Sequence, residues 1–123
     1  EICSHAGKPK DIIFTVSPIR HFKDGAHENQ LSKSALLLAI DETLSRHSED
    51  SLIRTDYFPA YEIVMDELRD YRFYAEDMCH PSSQTVDYIR ERFLGWTLPE
   101  KERLQLDENI RSYRRSCHRT INH

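Results

Sequence analysis

The run Ile12-Ile13-Phe14-Thr15-Val16 is short, β-branched and apolar at both odd and even positions. It therefore reads as a strand buried on both faces, the pattern of a parallel sheet rather than of a half-solvated antiparallel one. Ser17-Pro18 ends it. A polar segment, Arg20 to Gln30, follows, and then apolar residues recur at helical spacing from Leu31 to about Ser48. Leu31, Ala35 and Leu38 make one row and Leu36, Ile40 and Leu44 another, the broad stripe of a helix packed on a sheet. Leu52 to Phe58 reads as a second strand, stopped by Pro59. Strand, helix and strand in that order form a βαβ unit, for which a right-handed parallel crossover is the default.

Downstream, Tyr61 to Leu68 reads as a short helix and Arg69 to His80 as an aromatic, charged loop. Pro81-Ser82-Ser83 opens a helix that runs through Phe93, with Val86, Ile89 and Phe93 on one face and a serine capping the first turn. Thr97 and Glu100 have capping-box spacing and start a last helix whose apolar side is Leu106, Ile110, Tyr113 and Cys117. Two strands against four helices fall short of an ordinary doubly covered sheet, because a two-stranded sheet is marginal and both its edges are unpaired. The free edge at Ile12 to Val16 is expected to be covered by another copy of the chain, by the 98–116 helix, or by a strand from residues 1–10.

Composition narrows the function classes. The 123 residues carry 17 Lys and Arg against 21 Asp and Glu, a net charge of -4 that does not indicate a nucleic-acid partner. Residues 111–123 hold Arg111, Arg114, Arg115 and Arg119 and no acid, which reads as a solvated helix end favoured by the helix dipole. The longest apolar run, Ala35 to Ile40, is far short of the roughly 18 to 20 residues that span a bilayer. No membrane span is expected, and the setting expected is soluble, cytoplasmic rather than secreted. Glu1 follows neither a methionine nor a signal peptide, so the chain reads as an internal segment.

Asp77-Met78-Cys79-His80-Pro81-Ser82 is the sharpest local feature. Serine hydrolases need a histidine to take the hydroxyl proton, and a carboxylate on its other nitrogen to fix the tautomer and stabilise the imidazolium. A three-residue separation on a turn can bring the two together, but on that spacing alone a capping or surface pair is the simpler reading. Arg20 and His21 follow the first strand, where open α/β sheets bind ligands, so each is a substrate-contact candidate or a loop tie. Tyr71, Arg72, Phe73 and Tyr74 could line a pocket, although packing is the simpler reading. The three cysteines, Cys3, Cys79 and Cys117, are too dispersed for a disulfide framework. Cys3 with His5, Cys79 with His80, and Cys117 with His118 lack zinc-finger spacing, so neither a metal nor a cofactor is expected.

Several of these stretches closely resemble the GSCFA family: Ile12 to Gly25, Asn29 to Leu38, Tyr57-Phe58-Pro59-Ala60-Tyr61-Glu62-Ile63, and Met65 to Met78. The likeness runs from about residue 11 to residue 94, and more loosely to His118-Arg119. That family is similar to SGNH hydrolases, whose flavodoxin-like sheet carries a serine nucleophile after its first strand and Asp-x-x-His after its fifth. The resemblance implies an α/β fold in which Ile12 to Val16 is the fourth strand, Leu52 to Phe58 the fifth, and Asp77 and His80 the catalytic acid and base. It implies that the first three strands, with the Gly-Ser-Cys-Phe-Ala segment and its nucleophile, have no counterpart here. Residues 1–123 would then be the C-terminal part of one such domain, with a helical tail at about 97–120 and no activity alone. The implied reaction is hydrolysis of an ester, such as an acyl group on a carbohydrate. A non-catalytic binding or scaffold domain of the same fold is the alternative.

Overall fold

The computed structural model describes residues 9–47 and 52–119. They form an α/β arrangement with a two-stranded parallel sheet and four helices. The chain divides into two compact units between Val86 and Asp87.

In the first unit, strand β1 (Lys10–Phe14) pairs in parallel with β2 (Ile53–Tyr57), Ile12 opposite Thr55. Hydrogen bonds from Lys10 N–H to the Leu52 carbonyl and from Phe58 N–H to the Phe14 carbonyl close the ladder at its two ends. Helix α1 (Ala26–Arg46) connects the strands. It starts five residues before the expected Leu31, because Gly25 turns the chain with φ 90° and ψ 163°. Nothing in Ala26 to Gln30 breaks a helix, although that stretch lacks apolar periodicity.

The strand is not buried on both faces as expected. Ile12 and Phe14 are half-buried and Ile13 is 40% exposed. The expected stripe on α1 is likewise mostly exposed at Leu31, Leu36 and Leu38, while Leu37, Ile40 and Leu44 are half-buried. Apolar spacing identifies a helix, but the elements packed against it decide which row is covered. Among the described residues β1 has β2 as its sole strand partner, and the expected covering strand falls mostly on residues outside the described ones.

The core lies elsewhere, in the segments that follow the two strands. Val16, Phe58, Ala60, Tyr61, Ile63, Val64 and Tyr74 are its buried members. Ala60–Glu62 (α2) is one α-helical turn that widens into a π-helical stretch, Ile63–Leu68. Arg69 ends that stretch in the left-handed conformation at φ 52°, its N–H donating to the Val64 carbonyl five residues back. Helix α3 (Ser83–Thr97) follows the loop, and the hydroxyl of Ser82 caps it by accepting from Thr85 N–H, as the sequence suggests.

In the second unit, α4 (Glu100–Arg119) has Leu106 and Ile110 half-buried, whereas Tyr113 and Cys117 are exposed rather than on a covered apolar side. Thr97 is not the cap of this helix. Its hydroxyl donates to the Phe93 carbonyl at 2.8 Å, because α3 continues as far as Thr97, and the Pro99 carbonyl instead accepts the first α4 bonds.

Candidate functional site

Asp77 and His80 sit in a loop whose ends are clamped together. Tyr74 and Pro81 form an antiparallel bridge. Ala75 N–H donates to the His80 carbonyl at 2.7 Å, and Ser82 N–H to the Phe73 carbonyl at 2.9 Å. Inside the loop, Met78 adopts φ 58°, a left-handed conformation uncommon for a residue with a side chain. That turn aims the amides of Cys79 and His80 at Asp77, and both donate to its Oδ1 at 2.9 Å. Oδ2 remains for the imidazole, and His80 Nδ1 lies 2.5 Å from it.

These donors stabilise the carboxylate and hold the Asp77 pKa down to about 2, the His80 amide contributing most, then the imidazole, then the Cys79 amide. An ionised carboxylate only accepts, so Nδ1 carries the proton and Nε2 offers its lone pair. The pair is wet: the His80 side chain is 63% exposed and that of Asp77 48%. Geometry thus brings the acid and histidine together at the start of α3, with the nitrogen that a general base uses turned away from its partner.

Of the other candidates, Arg20 joins this loop and His21 does not. Arg20 N–H donates to the Cys79 carbonyl at 2.9 Å. Its guanidinium carbon lies 4.3 Å from the Tyr74 ring centre, 5.0 Å from Tyr71 and 5.8 Å from Phe22. Burial opposes its charge, but the hydroxyls of Tyr71 and Tyr74 outweigh burial and raise its pKa above the ordinary value. His21 is exposed, and its amide donates to Asn29 Oδ1 at 2.9 Å, a tie to α1 rather than to Asp77 or His80.

Sequence reasoning passes over Lys33. It is buried, and its Nζ donates to the Ser17 carbonyl at 2.7 Å and lies 5.9 Å from the Tyr61 ring centre. Desolvation lowers its pKa. Tyr57 is a second such residue: its hydroxyl donates to the Glu62 carboxylate, with oxygens at 2.8 and 3.0 Å. Burial and that carboxylate both raise its pKa. Neither residue stands in a spacing motif, since the partners are chosen by the turn after each strand. Thr85, fully buried, donates to the Phe73 carbonyl at 2.6 Å and so fixes the loop to α3.

Among the described residues no three His, Cys, Asp or Glu side chains cluster as metal ligands. Cys3 and His5 lie outside them, Cys79 is half-buried, and Cys117 is exposed. No described helix is long and apolar enough to cross a membrane.

A parallel strand–helix–strand unit with an acid–histidine loop tied to the segment leaving its first strand places the chain among α/β proteins. Within that class, residues 2–93 match the family model described as the GSCFA family, and the chain belongs to that family. No curated protein and no solved structure matches it.

Proposed function

We propose that this chain supplies the acid–base half of an SGNH-like acyl-hydrolase site, and that it is the C-terminal portion of a flavodoxin-like domain. The nucleophilic serine and most oxyanion donors belong, in this reading, to another segment of the same domain. The observation that carries it is the 2.5 Å contact between His80 Nδ1 and Asp77 Oδ2, with Asp77 ionised by two backbone donors. His80 Nε2 takes the serine proton as the hydroxyl attacks an ester carbonyl, and returns it to the departing alcohol. Water, deprotonated by the same nitrogen, then releases the acid and restores the serine. Asp77 holds the tautomer and offsets the imidazolium charge. The substrate class is an ester on a small molecule or carbohydrate.

Exposure of the pair favours a second reading, a binding or scaffold domain without chemistry, because an acid–base pair open to water lacks the dry surroundings that strengthen catalytic electrostatics. Hydrolysis of chromogenic short-chain esters by the full-length protein separates the two. The hydrolase reading expects His80→Ala to lower kcat by about a thousandfold or more with KM little changed, and Asp77→Asn to lower it as well. Absence of ester hydrolysis from the full-length protein favours the scaffold instead, and hydrolysis that survives His80→Ala removes His80 from the chemistry.

A further inference from the structure

Beside the acid–histidine loop lies a cavity of about 250 Å³ lined by Arg20, Val64, Met65, Arg69, Asp70, Tyr71 and Tyr74. Its volume is below the range of roughly 300 to 1,000 Å³ that encloses a whole drug-sized ligand, so it suits one end of a molecule.

Its charge is one-sided. Among the described residues neither Arg20 nor Arg69 is paired with a carboxylate. The acid among the lining residues is already engaged: Asp70 Oδ1 accepts from Arg72 N–H at 3.0 Å, and Arg72 Nε stands 3.7 Å from its Oδ2. Arg20 is held among three aromatic rings. The surrounding rings and the Tyr71 and Tyr74 hydroxyls restrict the orientation of the guanidinium, and its remaining N–H donors match a planar or tetrahedral oxyanion. A fixed cation loses little entropy on binding.

The walls are also attached to the catalytic candidate. Arg20 holds Cys79 through its amide, and Tyr74 pairs with Pro81. Cys79 and Pro81 are the two chain neighbours of His80. A group seated in the cavity is therefore positioned relative to His80 through the Arg20–Cys79 hydrogen bond on one side and, on the other, the Tyr74–Pro81 bridge, whose hydrogen bonds are made by the neighbouring residues.

We propose that this cavity binds a compact oxyanion, a carboxylate or a phosphate, as the fixed end of the substrate. The ester presented to His80 then belongs to an anionic molecule. This deepens the acyl-hydrolase reading and rests on it for the word substrate, whereas the anion site itself does not.

The test is an NMR titration of the full chain with sodium butyrate, inorganic phosphate and sodium chloride, following the amides of Arg20, Arg69, Tyr71 and His80. Saturable shifts are expected with butyrate or phosphate, and the anion that saturates identifies the chemistry. Arg20→Gln should weaken binding by about tenfold, as loss of a charge-assisted bidentate contact does. Arg69 is exposed, so Arg69→Gln should keep the fold and weaken binding several-fold even if the Arg20 variant does not fold. Shifts that chloride reproduces, that never saturate, or that persist unchanged in Arg69→Gln and a folded Arg20→Gln overturn the site. His80→Ala should bind the anion as the unaltered chain does. Saturable binding together with ester hydrolysis indifferent to His80→Ala would support the cavity and sink the hydrolase reading. Loss of hydrolysis in His80→Ala without saturable binding would do the reverse.

Discussion

Replacing Thr85 with valine tests whether the acid–histidine loop is held by its anchor on α3. Thr85 is 0% exposed, and its hydroxyl donates to the Phe73 carbonyl at 2.6 Å and stands 3.1 Å from Ser82 Oγ. Valine nearly conserves the volume, so no cavity opens. The Phe73 carbonyl keeps its second donor, Ser82 N–H, and is not orphaned. What is lost is the bond to Phe73, worth about 0.5 to 1.5 kcal/mol, and with it the bond that the Ser82 hydroxyl donates to Thr85 Oγ1, a smaller loss because Ser82 is only half-buried. The sum is about 1 to 2 kcal/mol, a factor of about 5 to 30 in the opening equilibrium. Because Trp96 belongs to the second unit, its fluorescence is the wrong reporter. Amide exchange of Ala75 and Ser82, which close the loop, is the right one, and both should exchange about 5 to 30 times faster in Thr85→Val. Thr85→Ser, which keeps the hydroxyl, should leave the Ser82 and Ala75 rates closer to those of the unaltered chain. Equal exchange rates in Thr85→Val and the unaltered chain would refute the anchoring argument, since the hydrogen bond would then contribute nothing to closure.

Two further outcomes follow from the backbone and from charge. Gly25 adopts φ 90° and ψ 163°, and a Cβ placed on it would meet nothing within 4 Å, so Gly25→Ala should cost roughly 1 to 3 kcal/mol of backbone strain alone, and urea unfolding at unchanged stability would contradict this. Asp77 has its pKa depressed from 3.8 to about 2, so its contribution to loop order is full above about pH 4 and lost as pH falls through about 2. The Cys79 and His80 amide resonances should report that midpoint, and His80→Ala should move it only part of the way up because backbone donors remain. A midpoint near 3.8 in the unaltered chain would show the carboxylate to be unsupported.

The acid–histidine pair was legible because everything that builds it is local. A few consecutive residues supply the carboxylate, the turn, two amides and the imidazole, so the spacing permits the geometry, and the family resemblance singles it out from a capping or surface pair. Both strands and the crossing helix were legible for a similar reason, since periodicity and Pro59 mark them without reference to neighbours. Burial was not. The row Leu31, Ala35 and Leu38 has the spacing of a packed face, yet Leu38 is 72% exposed and the buried residue of α1 is Lys33, on another side of the helix. Spacing says which residues share a face and is silent about what covers it. The link from Arg20 to Cys79 was illegible for the opposite reason: it joins segments far apart in sequence through backbone atoms, which carry no residue signature. Thr97 misled because a threonine hydroxyl can cap a following helix or bond back within its own, and only the length of α3 decides between them.

Lys33 ties the body of α1 to the turn that leads toward the acid–histidine loop. A buried ammonium is costly unless its protons are bonded, and burial has already lowered its pKa. Methionine at this position would fill much the same space without that desolvation. What lysine adds is a donor to the Ser17 carbonyl, at the turn where the chain leaves β1. From that turn Arg20 reaches the Cys79 carbonyl, and from Cys79 the amide reaches Asp77. Three hydrogen bonds thus run from the body of α1 to the carboxylate that orients His80. The buried residues Val16, Tyr61 and Tyr74 lie along the same route, so the best-packed part of the first unit is the part that carries the loops. Burial in the first unit is concentrated beside the acid–histidine loop, and the exposed rows of α1 and β1 contribute little to it.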